Sequence, residues 1–216
     1  MKYIKKTFPP TSLEKYKTIE RACYDDMPPE TKDEVRNSLI NEQGWLCCYC
    51  GKRIVPDHLS VIEHLLPKGI PQFSHLQLEY GNLLCSCDGG ENDRKGKTKT
   101  EKREFPQHCD DKKNNAILKI TPLDNNCEEH FSYDEEGNIY GDNSEADDAI
   151  NVLGLDCSTL THLRQAAIEP YVKYEASKSE WLEIIEDMKQ LHNGQFRPFC
   201  FAVISYIQEF KLPLVV

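Results

Sequence analysis

With 216 residues, 39% of them hydrophobic, the sequence has enough apolar material for one large domain, or for a compact core with an elaborated helical flank. A net charge of −10 argues against a free-standing, nonspecific nucleic-acid binder, whose affinity comes mostly from neutralising phosphates. Apolar runs such as Phe199 to Ile207 are too short to span a bilayer, and Pro9 and Pro10 interrupt the only stretch resembling a secretory leader, so a soluble cytoplasmic protein is expected.

In chain order, residues 2–8 read as a short edge strand stopped by Pro9 and Pro10. Thr11 or Ser12 is placed to cap a helix from Leu13, which Met27-Pro28-Pro29 ends. A second helix follows Pro29, with Val35, Leu39 and Ile40 on one face and Glu30 and Asp33 suiting its first turn. Residues 53–55 and 60–63 are short enough to pair as a hairpin around Pro56-Asp57-His58, with His64 at the end of the second strand. Gly69 to Glu79 reads as loop, Asn82 to Ser86 as a helical turn, Asp88 to Thr100 as a surface excursion, 109–113 as a helix or turn, and Ala116 to Ile120 as a strand. Cys127 to Tyr140 has the pattern of a hairpin turning at Glu136-Gly137-Asn138. Helices are then expected around Ala146, Ile150 and Leu153, ended by Gly154; from Ser158 or Thr159 through Leu160, Leu163, Ala167 and Ile168, with Pro170 as a kink; along Trp181, Ile184, Ile185, Met188 and Leu191; and from Pro198 to Phe210. This gives an α+β fold in three parts: a strand and helical arm (1–43), a core (44–122) and a mostly helical lobe (123–216).

Ten cysteines would suggest disulfides in a secreted chain, but Cys47-Cys48-Tyr49-Cys50-Gly51 is a C-x-x-C knuckle suited to one tetrahedral zinc. It is half a site; Cys85, Cys87 and Cys109 are available for the other half. Cys48 reads as packing, and Cys23, Cys127, Cys157 and Cys200 as buried free thiols. Charge is unevenly spread: Arg94 to Arg103 holds six cations against Glu101 alone, while Asp124 to Asp187 holds seventeen acids against Arg164, Lys173 and Lys178. This reads as a basic substrate loop beside the metal site and an acidic flank that repels nucleic acid or docks on another protein; the plain alternative is an ordinary solvated surface.

The order C-Y-C-G at 48–51, Ile62-Glu63-His64-Leu65-Leu66-Pro67-Lys68, Tyr80-Gly81-Asn82-Leu83-Leu84-Cys85-Ser86-Cys87 and His108-Cys109-Asp110-Asp111-Lys112-Lys113-Asn114-Asn115 resembles the HNH endonucleases with a ββα-metal core. Within them it looks most like the branch of PtuB nucleases from Septu and retron anti-phage systems. The resemblance implies a structural zinc on Cys47, Cys50, Cys87 and Cys109, with Cys85 as a competitor for Cys87. The 21 residues between Cys87 and Cys109 depart from the usual closely spaced second pair.

It further implies His64 as general base, Asn82 as the residue orienting it, and Glu63 as ligand to a catalytic Mg²⁺ or Mn²⁺. That ion's site is completed by Asp110 or His108, where relatives carry Asn or His after the last cysteine. A regular strand would send Glu63 and His64 opposite ways, so a bend is expected there. Lys113, Arg94, Lys95 and Lys97 are candidate phosphate contacts. The implied function is cleavage of DNA or RNA as the effector of a defence complex. Its implied partners are an ABC/SMC-like ATPase of the PtuA type and a retron reverse transcriptase with its RNA–DNA product, with no membrane. The alternative is a zinc-stabilised, non-catalytic nucleic-acid- or protein-binding adaptor; a redox-sensing thiol module is a third class.

Overall fold

In the computed structural model, which describes residues 1–214, the chain is a mixed helical protein with two small antiparallel sheets. Helix α1 (Thr11–Lys17) leads to α2 (Pro29–Glu42), where Pro29 sits in the first turn, a position that needs no amide donor. Val35, Leu39 and Ile40 on α2 are buried as the spacing predicts. The expected cap on α1 is not formed: Thr11 is already helical and Pro10 precedes it.

Strand β1 (Ser60–His64) pairs with β2 (Leu83–Cys87), in register from Ser60↔Cys87 to His64↔Leu83. This corrects two expectations. Residues 53–55 contribute only a single bridge, Arg53 to Leu46, and of 82–86 only Asn82 is helical, closing a short 3-10 turn (Tyr80–Asn82), while 83–86 is strand. The run Leu83-Leu84-Cys85-Ser86-Cys87 is buried at every position, so it lacks the alternation that marks a half-exposed strand. The 60–64 strand therefore takes its partner from about twenty residues downstream rather than from across a tight turn.

After β2 come α3 (Glu91–Arg94) and α4 (Cys109–Lys113), which packs against β2. Two further expected strands are absent. Residues 2–8 are satisfied by acids instead of a sheet: Tyr3 N–H donates to Glu128 (3.0 Å), Thr7 N–H donates to Glu42, and the one backbone bond runs from Ile4 to Pro122 (2.7 Å). Residues 116–120 bury Leu118 and Ile120 without pairing.

The remainder begins with the hairpin of β3 (Phe131–Tyr133) and β4 (Ile139–Gly141), whose turn is held by Asp134 accepting from Asn138 N–H at 2.9 Å. Helix α5 (Ser144–Leu153) is capped by Asn143 and stopped by Gly154 at φ +60°. Helix α6 (Ser158–Val172) contains Pro170 and has Cys157, not Ser158 or Thr159, at its cap position. Helix α7 (Lys178–Met188) opens on a capping box between Ser177 and Glu180. Leu191 lies beyond α7 and is 51% exposed, and Leu163 is also exposed, so neither belongs to the buried faces expected of them. Helix α8 (Cys200–Tyr206) continues into a wider turn at Ile207–Lys211.

One cluster of buried side chains runs from Met1 and Leu13 through the knuckle to Trp181 and Ile207. Contacts cross the expected boundary at 122: Phe199 N–H donates to the Gly51 carbonyl (3.1 Å), and Phe196 N–H to that of Gly44 (3.0 Å).

Candidate metal centre and active site

The knuckle, β2 and α4 bring four buried sulfurs together. Those of Cys47, Cys50, Cys87 and Cys109 all lie within 4.8 Å of one another, with Cys47–Cys109 and Cys50–Cys87 at 3.9 Å. A tetrahedron with metal–sulfur bonds of about 2.3 Å has edges of about 3.8 Å, so this spacing suits zinc. Burial opposes charge on the Cys47 thiol, yet its contacts with the neighbouring sulfurs hold it well below the ordinary thiol value. The thiols of Cys87 and Cys109 are pushed the other way, so one sulfur is favoured as thiolate and a cation would have to displace the protons of these two.

Cys85 is buried but outside this cluster, its backbone gripped by the Gln43 amide: Cys85 N–H donates to Gln43 Oε1 (2.7 Å) and its carbonyl accepts from Nε2 (2.8 Å). Cys48, Cys127 and Cys200 are buried free thiols as expected, whereas Cys23 and Cys157 are half-exposed.

His108 does not stand with the carboxylates. Its Nδ1 lies 3.3 Å from Cys109 Sγ and 3.8 Å from Cys87 Sγ, so its side chain belongs to the sulfur cluster's surroundings. Asp110, rather than His108, is the residue that stands against Glu63.

Glu63 on β1 is buried, accepts from the Tyr49 hydroxyl (2.8 Å) and pairs with the Lys113 ammonium (2.6 Å). Asp110, from the first turn of α4, stands against it: burial first, then the hydrogen bond and charge of Glu63, push the Asp110 carboxyl up to about 8. A buried carboxyl facing another acid keeps its proton in this way. The donor chemistry fits a hard divalent ion, which replaces that proton.

His64 lies next along β1. Gln77 O is 3.0 Å from Nε2, and since a carbonyl only accepts, the proton sits on Nε2 and Nδ1 keeps its lone pair. Burial lowers the ring's pKa, which favours the neutral base. Tyr24, from the segment between α1 and α2, meets the imidazole edge-on at 4.5 Å.

Asn82 ties the loop below: Oδ1 accepts from Leu66 N–H (2.8 Å), while Nδ2 donates to Leu66 O (3.0 Å) and Leu76 O (3.3 Å). The expected bend at Glu63 is not present. Register is continuous through both residues, and the side-chain partners of Glu63 (Tyr49, Lys113, Asp110) are not those of His64 (Gln77, Tyr24).

Lys113, expected at phosphate, is 2% exposed, its ammonium held between Glu63 and the His64 carbonyl (3.1 Å). Arg94 is likewise engaged, with Asp111 and with the carbonyls of Gly89 (3.2 Å) and Phe105 (3.3 Å). Lys95 is exposed, and the Lys97 ammonium lies 4.6 Å from the centre of the Phe105 ring.

The residues that reading the chain missed are Tyr24, Tyr49, Gln43 and Gln77. Tyr49 alone carried a signal, an aromatic inside the knuckle. The others meet the site only through the fold.

No protein-family model matches the chain. The chain is 33% identical over 138 residues to a candidate HNH endonuclease of retron Vc95 from Vibrio cholerae serotype O1 biovar El Tor. The match covers 60% of this chain, and the chain spans 60% of that relative's length. The similarity supports kinship with HNH endonucleases.

Proposed function

We propose that this chain is a metal-dependent endonuclease of the HNH type that hydrolyses phosphodiester bonds in DNA or RNA. The reading rests on the donors gathered at the end of β1: Glu63, backed by Asp110 from α4, and next to it on the strand a neutral, carbonyl-oriented His64, with the four-sulfur cluster starting at Asp110's neighbour Cys109. In this reading His64 takes a proton from water at Nδ1 while Gln77 holds the ring, and water's oxygen attacks phosphorus as the 3′-oxygen leaves. Mg²⁺ or Mn²⁺ held by Glu63 and Asp110 supplies, when bound, positive charge for the phosphate and the departing oxygen. Asn82 positions His64 by fixing the loop that runs from Leu66 to Leu76. The cysteine cluster holds structural zinc.

The cellular role we propose, by resemblance and by the retron context of the relative, is a cytoplasmic anti-phage effector of the PtuB kind. It works with a PtuA-type ATPase or with a retron reverse transcriptase and its RNA–DNA product. The acid-rich span from Asp124 to Asp187 supports a chain that relies on a partner to reach nucleic acid.

Cleavage of plasmid, single-stranded DNA and RNA by the purified chain, alone and with its ATPase partner, tests this in Mg²⁺ or Mn²⁺. His64→Ala should reduce the rate by about 10²-fold or more. Wild-type rates in that variant overturn the mechanism. A specific observation favours one other reading, the non-catalytic adaptor: Lys113 already neutralises Glu63 from within. It predicts zinc binding without any Mn²⁺ binding near His64.

A further inference from the structure

Lys113 and Arg94 are bound to internal acids, so the charge that meets a phosphate at His64 has to come from elsewhere. The surroundings of the imidazole supply it from a segment the chain's motifs do not mark. Tyr24 packs its ring on His64 at 4.5 Å, and the ammonium groups of Lys32 and Lys68 lie 5.1 and 5.5 Å from the centre of that same ring. The arrangement is fastened to the catalytic loop by one residue: Gln77 accepts from His64 through its carbonyl and from Tyr24 N–H (3.0 Å) through its side chain.

Between the two lysines stands Asp25, whose carboxyl pairs with Lys68 at 2.6 Å and whose backbone carbonyl accepts from Lys32 at 3.2 Å. Asp25 is 73% exposed in its side chain, so an incoming anion can replace it without disturbing the core.

We propose that Tyr24, Lys32 and Lys68 form the surface that receives the nucleic-acid phosphate backbone at His64, with the Asp25 carboxylate occupying the anion's place until substrate arrives. The proposal deepens the nuclease reading and depends on it for His64 being the point of attack. It assigns the positioning of substrate to the segment joining α1 and α2 together with Lys68, instead of to Lys113 and Arg94. Each lysine that neutralises a phosphate releases counterions, so its removal should flatten the dependence of affinity on salt.

The test is fluorescence anisotropy with the full zinc-loaded chain, no Mg²⁺ or Mn²⁺ added, on labelled single-stranded DNA, RNA and duplex of one sequence over a range of salt. Lys32→Ala and Lys68→Ala should each weaken binding at low salt and reduce the slope of log affinity against log salt by about 0.7–0.9. Asp25→Asn, a surface change in the opposite direction, should tighten binding; it guards against reading misfolding as lost affinity.

Unchanged slopes in the lysine variants with unchanged affinity in Asp25→Asn overturn the proposal, as does a wild-type chain that binds none of the three probes either alone or with its ATPase partner. The two readings separate cleanly. Salt slopes that shift as described in a chain that never cuts leave this surface standing and remove the nuclease. A chain that cuts with KM and slope indifferent to Lys32 and Lys68 does the reverse.

Discussion

Lys113 shows how a residue changes meaning between chain and fold. In sequence it is one of two adjacent lysines, a natural phosphate contact; in the structure it neutralises Glu63 where neither group meets water. Removing one partner of such a pair leaves a buried charge, which costs about 3–5 kcal/mol. Lys113→Met should therefore lower the urea midpoint sharply, and Glu63→Gln in the same chain should restore part of the loss. Asp110 carries a pH signature. With its carboxyl moved from 3.8 to about 8, the folded chain holds a proton that the unfolded chain has released, so this group's contribution to stability falls as pH rises through that window. Asp110→Asn holds no such proton. Without divalent ions, its melting temperature should gain on wild type progressively from the acid end of the window to the alkaline end.

At the scale of elements, the site is three pieces held by the sulfurs: the knuckle from 47 to 51, strand β2 and helix α4. Helix α4 is only five residues long and begins at Cys109 itself, whose φ of +52° is strained for a residue with a Cβ. So short a helix does not persist alone, and a metal that joined its first residue to β2 would contribute directly to its folding. Substituting Ser for Cys47, Cys50, Cys87 or Cys109 should abolish bound zinc, measured as metal per chain, and broaden the melting transition. Cys85→Ala should keep its zinc and lose only the packing of a small side chain, about 1 kcal/mol. Retention of zinc by the Cys87 variant, or loss by the Cys85 variant, would reverse the ligand assignment.

The whole molecule closes around the back of the knuckle. Gly51 has φ +76°, and a Cβ built there would overlap the Phe201 ring. Helix α8, nearly the last element, thus presses on a residue 150 positions earlier. Gly51→Ala combines the left-handed penalty of about 1–2 kcal/mol with a direct overlap, so denaturation midpoint and zinc retention should fall together. Phe201→Leu in that background should recover the overlap part alone. The same closeness lets one buried cluster draw side chains from both sides of residue 122.

What could be read along the chain was whatever is encoded locally. The spacing of Val35, Leu39 and Ile40 announces a helix face, Gly154 a helix end, and C-Y-C-G half of a metal site. The set Glu63, His64, Asn82 and Asp110 is legible as donor chemistry in order. Partnership across distance was not. Strand β2 is buried on both faces and carries no period; residues 2–8 look like a strand but satisfy their amides on glutamates; and His108, suited to a metal, and Lys113, suited to phosphate, are turned by the fold to sulfur and to Glu63. Local sequence determines which groups are present and what each can do chemically. Which of them face one another depends on a desolvated interior assembled from distant segments, and that only the tertiary structure decides.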